Sequence, residues 1–267
     1  MKPIATESAQ MPKGTSSVLD ARSLENSYAS LLPLLHNGMR VLDVGCGTGA
    51  ITAGIANAVG PDGTAVGIDS SAHLIAKGRE DHAAIHNLQL AEADLFSYTP
   101  EQPFDLVVSA RVLQWLSNPV AALEKFKSLL RPGGCISILD YNHTAIEWNA
   151  PPPQSMRDFY AAFLQWRADA GMDNAIGDHL AQLFLTLGLQ NIRCIRANEV
   201  CKKGEDGFLA KAGLWTKVAE LRGPQMVQDG YITEAARLQA ITDYNAWLES
   251  DAAQWMAMKL NDVQGSL

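Results

Sequence analysis

Between Arg40 and Gly49 the chain reads Arg-Val-Leu-Asp43-Val-Gly45-Cys46-Gly47-Thr48-Gly49. Glycines at alternate positions let a backbone turn sharply and approach a ligand that a Cβ would repel. A helix reading over Ala50–Val59 follows at once, and the start of a helix offers unpaired N–H groups to a carboxylate or phosphate. The GxGxG spacing, with Asp43 inside the strand end, departs from the GxGxxG dinucleotide fingerprint. Asp69 closes Val66-Gly-Ile-Asp69-Ser70 about 20 residues later, where a carboxylate can accept from both hydroxyls of a ribose. Asp94, in Ala91-Glu-Ala93-Asp94-Leu95, can accept from an exocyclic amine such as that of adenine. Phe104-Asp-Leu-Val-Val-Ser109-Ala110-Arg111 ends at the mouth of the same crevice. Each acid also has a structural reading: Asp43 as a cap of the glycine turn, Asp69 as a helix cap, Asp94 as a turn aspartate. For Arg111 the structural alternative is a surface ion pair.

These residues need a scaffold, and the periodicity supplies one. Strands are expected at 40–45, 64–69, 88–93, 104–109 and 134–141, alternating with helices at 50–59, 71–85 and 119–130. That rhythm predicts a parallel sheet covered on both faces. The expected fold is α/β: a Rossmann-like, doubly wound, mostly parallel seven-stranded sheet with helices on both faces and helical lid insertions. Residues 1–37 form a flexible tail plus an amphipathic lid helix over 24–35, and residues 38–142 form the nucleotide-binding core. Residues 143–267 carry lid helices at 156–170, 176–187, 207–221 and 233–250, with the last two strands at 192–200 and 254–263.

In open α/β sheets ligands lie outside the carboxyl ends of the strands. Tyr141, Asn142 and His143 leave the fifth strand at that edge, which makes His143 the candidate base, with Glu147 a weaker one. Phe159, Phe163 and Trp166 share one helical face. That stripe suits a core, and together with Trp148 and Tyr28 it also suits a lid over an apolar acceptor.

The glycine loop, Asp69, Asp94 and Ser109–Arg111, followed by Leu129-Leu-Arg-Pro-Gly-Gly134, together resemble the class I S-adenosylmethionine (SAM) dependent methyltransferases. More narrowly they look like the small-molecule branch with ubiquinone/menaquinone-type and trans-aconitate-type enzymes, over residues 38–142. The resemblance implies SAM as cofactor, with S-adenosylhomocysteine (SAH) as its product. Asp43, Gly45, Cys46, Gly47, Thr48 and Gly49 would hold the methionine end. Asp69 with Ser70 would hold the ribose, and Ala93, Asp94 and Leu95 the adenine. Ser109, Ala110 and Arg111 would line the region between methionine and acceptor, with Arg111 and His143 as catalytic candidates. Tyr28, Trp115, His143, Trp148 and Phe163 are the acceptor-side candidates, and Val112-Leu-Gln-Trp115-Leu resembles the trans-aconitate-type stretch.

The remaining features narrow the partners. A net charge of −8 argues against a duplex nucleic-acid surface. The fourth strand lacks the Asn/Asp-Pro-Pro-aromatic ending of enzymes that methylate base or amide nitrogens. Four scattered cysteines with no CxxC predict neither a metal site nor a redox pair, and fit a reducing cytoplasm. Residues 1–17 lack the apolar stretch of a signal peptide, and no apolar run suits membrane insertion. The expected activity is methyl transfer to O or N, with C also open, of a small molecule. Two alternatives stand beside it: a SAM-binding regulatory or interaction module without turnover, and an NAD(P)-dependent oxidoreductase, which the spacing disfavours. Oligomeric state is not legible in the residues.

Overall fold

The computed structural model of the chain describes residues 22–267, so the tail expected over 1–21 lies outside the described residues. The helix expected at 24–35 is two pieces: α1, Leu24–Ser27, and a 3-10 helix, Ala29–Leu34. Tyr28 breaks them apart, with φ −151° and ψ 37°. Its buried hydroxyl lies 2.9 Å from Ser137 Oγ, so a long-range contact overrides the helical periodicity.

The alternating units follow as expected: β1 (Arg40–Val44), α2 (Ala50–Val59), β2 (Thr64–Asp69), α3 (Ala72–Asp81), β3 (Leu88–Glu92), β4 (Phe104–Ala110) and α4 (Pro119–Ser128). β1 is apolar and buried along almost its whole length, as a central parallel strand between two helical layers must be. α4 starts where Asn118 Oδ1 accepts the Ala121 N–H at 3.0 Å, with Pro119 in the first turn. β5 spans Leu130–Trp148 and therefore runs through the boundary expected at residue 142. Its continuation stays beside β8 (Trp255–Ser266), with an irregular register between Asn142 and Glu147.

The sheet order is β3-β2-β1-β4-β5-β8-β6, with β7 also on β8. The sheet has eight strands and not the seven expected, because the strand foreseen at 192–200 splits into β6 (Gln190–Arg196) and β7 (Glu199–Lys202). At the break Ala197 N–H still donates to Leu260 O, but Asn198 Oδ1 takes the Leu260 N–H. A side chain has replaced one main-chain rung. β1 to β5 run parallel, and β8 is antiparallel to β5, β6 and β7.

The later helices are α5 (Gln154–Asp169), α6 (Ile176–Thr186), α7 (Phe208–Ala212), α8 (Leu214–Leu221), α9 (Gly223–Gln228) and α10 (Glu234–Glu249). The single helix expected at 207–221 divides at Gly213 into α7 and α8. Phe159 and Phe163 of α5, Trp215 of α8 and Tyr244 of α10 share one core cluster with Val41, Leu106 and Val108 of the sheet. The helical additions are thus continuous with the core. The other cluster sets α4 and α6 against residues such as Leu42, Val107 and Ile136. Among the described residues no helix is long and apolar enough to cross a membrane.

One close approach seats the glycine loop. A Cβ on Gly78 of α3 would stand 2.3 Å from the carbonyl oxygen of Thr48. Gly78→Ala is expected to lower stability in urea unfolding by about 1–3 kcal/mol through overpacking, net of the helix-propensity gain.

Candidate active site

The sheet reverses direction of winding between β1 and β4, and the carboxyl ends of these strands open a crevice there. Gly45, Gly47 and Gly49 all have positive φ, and a Cβ on Gly45 would collide with Val112 at 2.4 Å. Gly45 and Cys46 donate their N–H groups to Ile68 O at 2.8 and 3.1 Å. Asp69 accepts the Gly47 N–H at 2.9 Å through one oxygen and the Ser71 N–H at 2.9 Å through the other. The acid at the end of β2 therefore braces the loop, and each oxygen keeps a lone pair for another donor. α2 begins at Gly49 with no side-chain cap, and the buried Thr48 Oγ1 beside it has no partner.

Asp43 is buried at the end of β1 and accepts a 2.6 Å bond from Thr52 Oγ1. Burial raises its pKa to about 6; the Thr52 bond works against this and nearby Asp69 adds to it. Burial, with Asp43 and Asp69, also pushes the Cys46 thiol well up, so it stays protonated. Ala93 donates its N–H to Asp69 O, and Ser70 is exposed beside it. Asp94 Oδ1 accepts the Phe96 and Ser97 N–H groups at 3.0 and 3.1 Å, so part of this carboxylate holds its own turn. Leu95 packs against the second core cluster. Ser109 Oγ donates to Val44 O at 2.8 Å, tying β4 to β1 and committing its proton.

Arg111, after Ala110, takes a left-handed backbone (φ 63°) held by its N–H on Leu139 O at 2.7 Å. It is no surface ion pair. The buried guanidinium donates to Tyr141 Oη, Ser27 O and Glu199, joining β4, β5, α1 and β7. Burial disfavours its charge, but Tyr141 and Glu199 outweigh it and raise the pKa.

His143 lies within β5 and is buried against Tyr141, Phe163 and Trp215, with ring centroids 5.3, 6.2 and 6.2 Å away. Its Nε2 is 2.5 Å from Gln114 Oε1, while Gln114 Nε2 donates to Arg111 O. That orientation makes Gln114 the acceptor and His143 Nε2 the donor. Nδ1 is left as a bare lone pair, buried and without a partner. Burial, aided by Arg167, drives the imidazole well below its usual pKa, so the ring is neutral at pH 7. Burial likewise raises Asp140 to about 6, against the Tyr141 and Gln114 N–H groups that it accepts.

The structure brings His143, Phe163 and Tyr141 together. It packs two guanidiniums on Trp115, with Arg167 Cζ at 4.7 Å and Arg222 Cζ at 4.5 Å from the ring centroid. Tyr28, expected on the acceptor side, commits its hydroxyl to Ser137 and Asp262 of the sheet and so acts as a brace. Trp148 sits at the far end of β5, paired in register with Met256. Gln114, Tyr160, Arg167 and Trp215 were missed. One signal existed for Arg167: it follows Phe163 by four residues and so lies on the buried stripe of α5.

The family profile described as a methyltransferase domain matches residues 35–181. The chain belongs to this family. Trans-aconitate 2-methyltransferase of Escherichia coli is 34% identical over 145 residues, 54% of either chain. Demethylmenaquinone methyltransferase of Staphylococcus aureus is 29% identical over 133 residues, 49% of this chain and 52% of that one. The chain thus spans about half the length of the curated relatives it matches. A cyclopropane-fatty-acyl-phospholipid synthase-like protein from Lactobacillus casei shares the fold with TM-score 0.60 at 16% identity, covering 98% of this chain and 97% of that one. Coclaurine N-methyltransferase, solved with N-methylheliamine and SAH, aligns with TM-score 0.53 at 15% identity over 99% and 85%. The family and fold expected from the glycine loop are borne out.

The raised pKa of Asp43 has a testable sign. A carboxyl whose folded pKa lies above its unfolded value of 3.8 destabilises the fold progressively as pH rises from about 4 through 6. Asp43→Asn is expected to raise Tm above pH 6, by an amount worth roughly 1–3 kcal/mol, and to give no gain below about pH 4. Thermal melts across that range check it.

Proposed function

We propose that this chain is a SAM-dependent methyltransferase acting on an O or N atom of a small molecule. The supporting observation is the glycine loop braced by Asp69 beside an uncapped helix start, at the carboxyl end of the sheet. When bound, SAM supplies an electrophilic methyl group on a sulfonium. The residues present fit it. Asp69 has a lone pair on each oxygen for the ribose hydroxyls, and Asp94 has Oδ2 for the adenine amine, between Ala93 and Leu95. The N–H groups opening α2 and Thr48 Oγ1 suit the methionine carboxylate, and Asp43 suits its ammonium, a cation that would favour the ionised acid.

On the acceptor side, the unpartnered lone pair of His143 Nδ1 suits the role of taking a proton from an acceptor O–H or N–H. Gln114 sets its tautomer, and Tyr160, donating to His143 O at 2.5 Å, fixes its main chain. The aromatic rings around it exclude water, which suits in-line methyl transfer. A bare base among these rings favours turnover over a binding-only module. The relatives' names specify small acceptors, and a charge of −8 fits a small molecule better than nucleic acid. Four free cysteines are in keeping with a cytoplasmic setting.

Asp69→Ala is expected to weaken SAH binding by more than about tenfold in calorimetry while far-UV circular dichroism stays unchanged. Unaltered affinity would contradict the ribose role. With an acceptor identified by SAH release, His143→Ala is expected to lower kcat by about 10²–10⁴ and leave SAH affinity within about twofold. Equal loss of both would make His143 a structural residue.

A further inference from the structure

Arg167 carries an unusual burden. Its side chain is fully buried, and its Nε and Nη2 donate only to neutral oxygens, Asn174 Oδ1 at 2.8 Å and Gln114 O at 2.7 Å. Asp140 and Asp173 favour its charge from a distance, but no carboxylate among the described residues hydrogen-bonds it, and Nη1 is buried without any partner. Asp140, the acid nearby, already accepts main-chain N–H groups on both oxygens. A second guanidinium, Arg222, packs on the same Trp115 ring, and burial together with Arg167 lowers its pKa to about 10. Burial outweighs Asp140 and Asp173 and lowers the Arg167 pKa to about 10, and a buried guanidinium with an unmatched N–H gains from a ligand that completes it.

Two further donors are orphaned in the same neighbourhood. Trp215 Nε1 is buried without a partner, its ring 6.2 Å from both His143 and Phe163, and Arg167 Cζ lies 5.3 Å from the Phe163 ring. Arg111 Nη1 is the other, on a guanidinium packed over Tyr141. The orphaned N–H groups thus surround one set of touching rings. A neutral apolar acceptor would leave them unmatched, and a cation would be repelled. An anion with two acceptor oxygens satisfies them through charge-assisted bonds.

We infer that the buried cluster beside His143 is a carboxylate site, and that the acceptor is an organic acid held through Arg167 and Trp215. This inference rests on the methyl-transfer reading for the word acceptor, but the site itself is tested by binding alone. The full chain, with and without saturating SAH, is titrated calorimetrically with formate, succinate and benzoate, each against its amide. At least one acid is expected to bind about tenfold or more tightly than its amide. Arg167→Gln is expected to erase that preference while SAH affinity holds, and Arg167→Lys to restore part of it. Trp215→Phe, which keeps the ring and removes one N–H, is expected to weaken the acid several-fold and serves if Arg167→Gln does not fold.

Absence of acid preference across the set overturns the carboxylate site, as does a preference that survives Arg167→Gln and Trp215→Phe. Failure of SAH to bind, with the acid preference intact, overturns the SAM reading and leaves this one standing.

Discussion

Four hydrogen bonds made by Gln114 hold together the buried polar cluster around His143. Its N–H donates to Asp140, its Nε2 to Arg111 O, its Oε1 accepts from His143, and its main-chain carbonyl accepts from Arg167. One neutral, buried side chain thereby links the end of β4, the extension of β5 and helix α5. Every polar atom of Gln114 has a partner, although His143 Nδ1, Arg111 Nη1 and Arg167 Nη1 around it do not, and in a dry interior each lost partner strands a polar group. The tautomer of His143 follows from this network, and so does the direction in which its bare nitrogen is presented. The left-handed backbone at Arg111 is tolerated for the same reason, because its carbonyl and N–H are both engaged.

The glycine-loop side works by a different principle. There the determinants are backbone conformations that only glycine adopts readily, a carboxylate that clamps two loop amides, and the start of a helix left uncapped. Ser109 Oγ, bonded to Val44 O, joins the two sides across the point where the sheet changes direction. Asp43 and Asp140, one on each side, are both raised to about 6 by burial. Such carboxylates weaken the fold at neutral pH, a common stability penalty at sites built for binding.

The helices after β5 are not a detachable lid. They share a hydrophobic cluster with the sheet, and α5 and α8 bring Arg167 and Trp215 to the rings around His143. The surroundings of His143 are therefore set by the same packing that stabilises the domain. Changing them would require repacking of core aromatics, and interiors packed at crystal-like density tolerate that poorly.

The sequence alone determined the features that depend on neighbours along the chain. β2 and α2 were legible to their end residues, and the loop between Asp43 and Gly49 announced itself, because strand alternation, helix periodicity and glycine sterics are local rules. The acids Asp43, Asp69 and Asp94 could be placed at strand ends for the same reason. Only the tertiary structure decided what each polar group touches. It tied Tyr28 to Ser137, committed Ser109 to Val44, split one strand at Asn198 and made Arg167 a buried cation. Gln114 meets His143 across 29 residues and Arg167 across 53, separations over which no periodicity carries information. Partner choice among polar groups is a property of the folded interior, where desolvation forces each donor to find an acceptor or to wait for a ligand that supplies one.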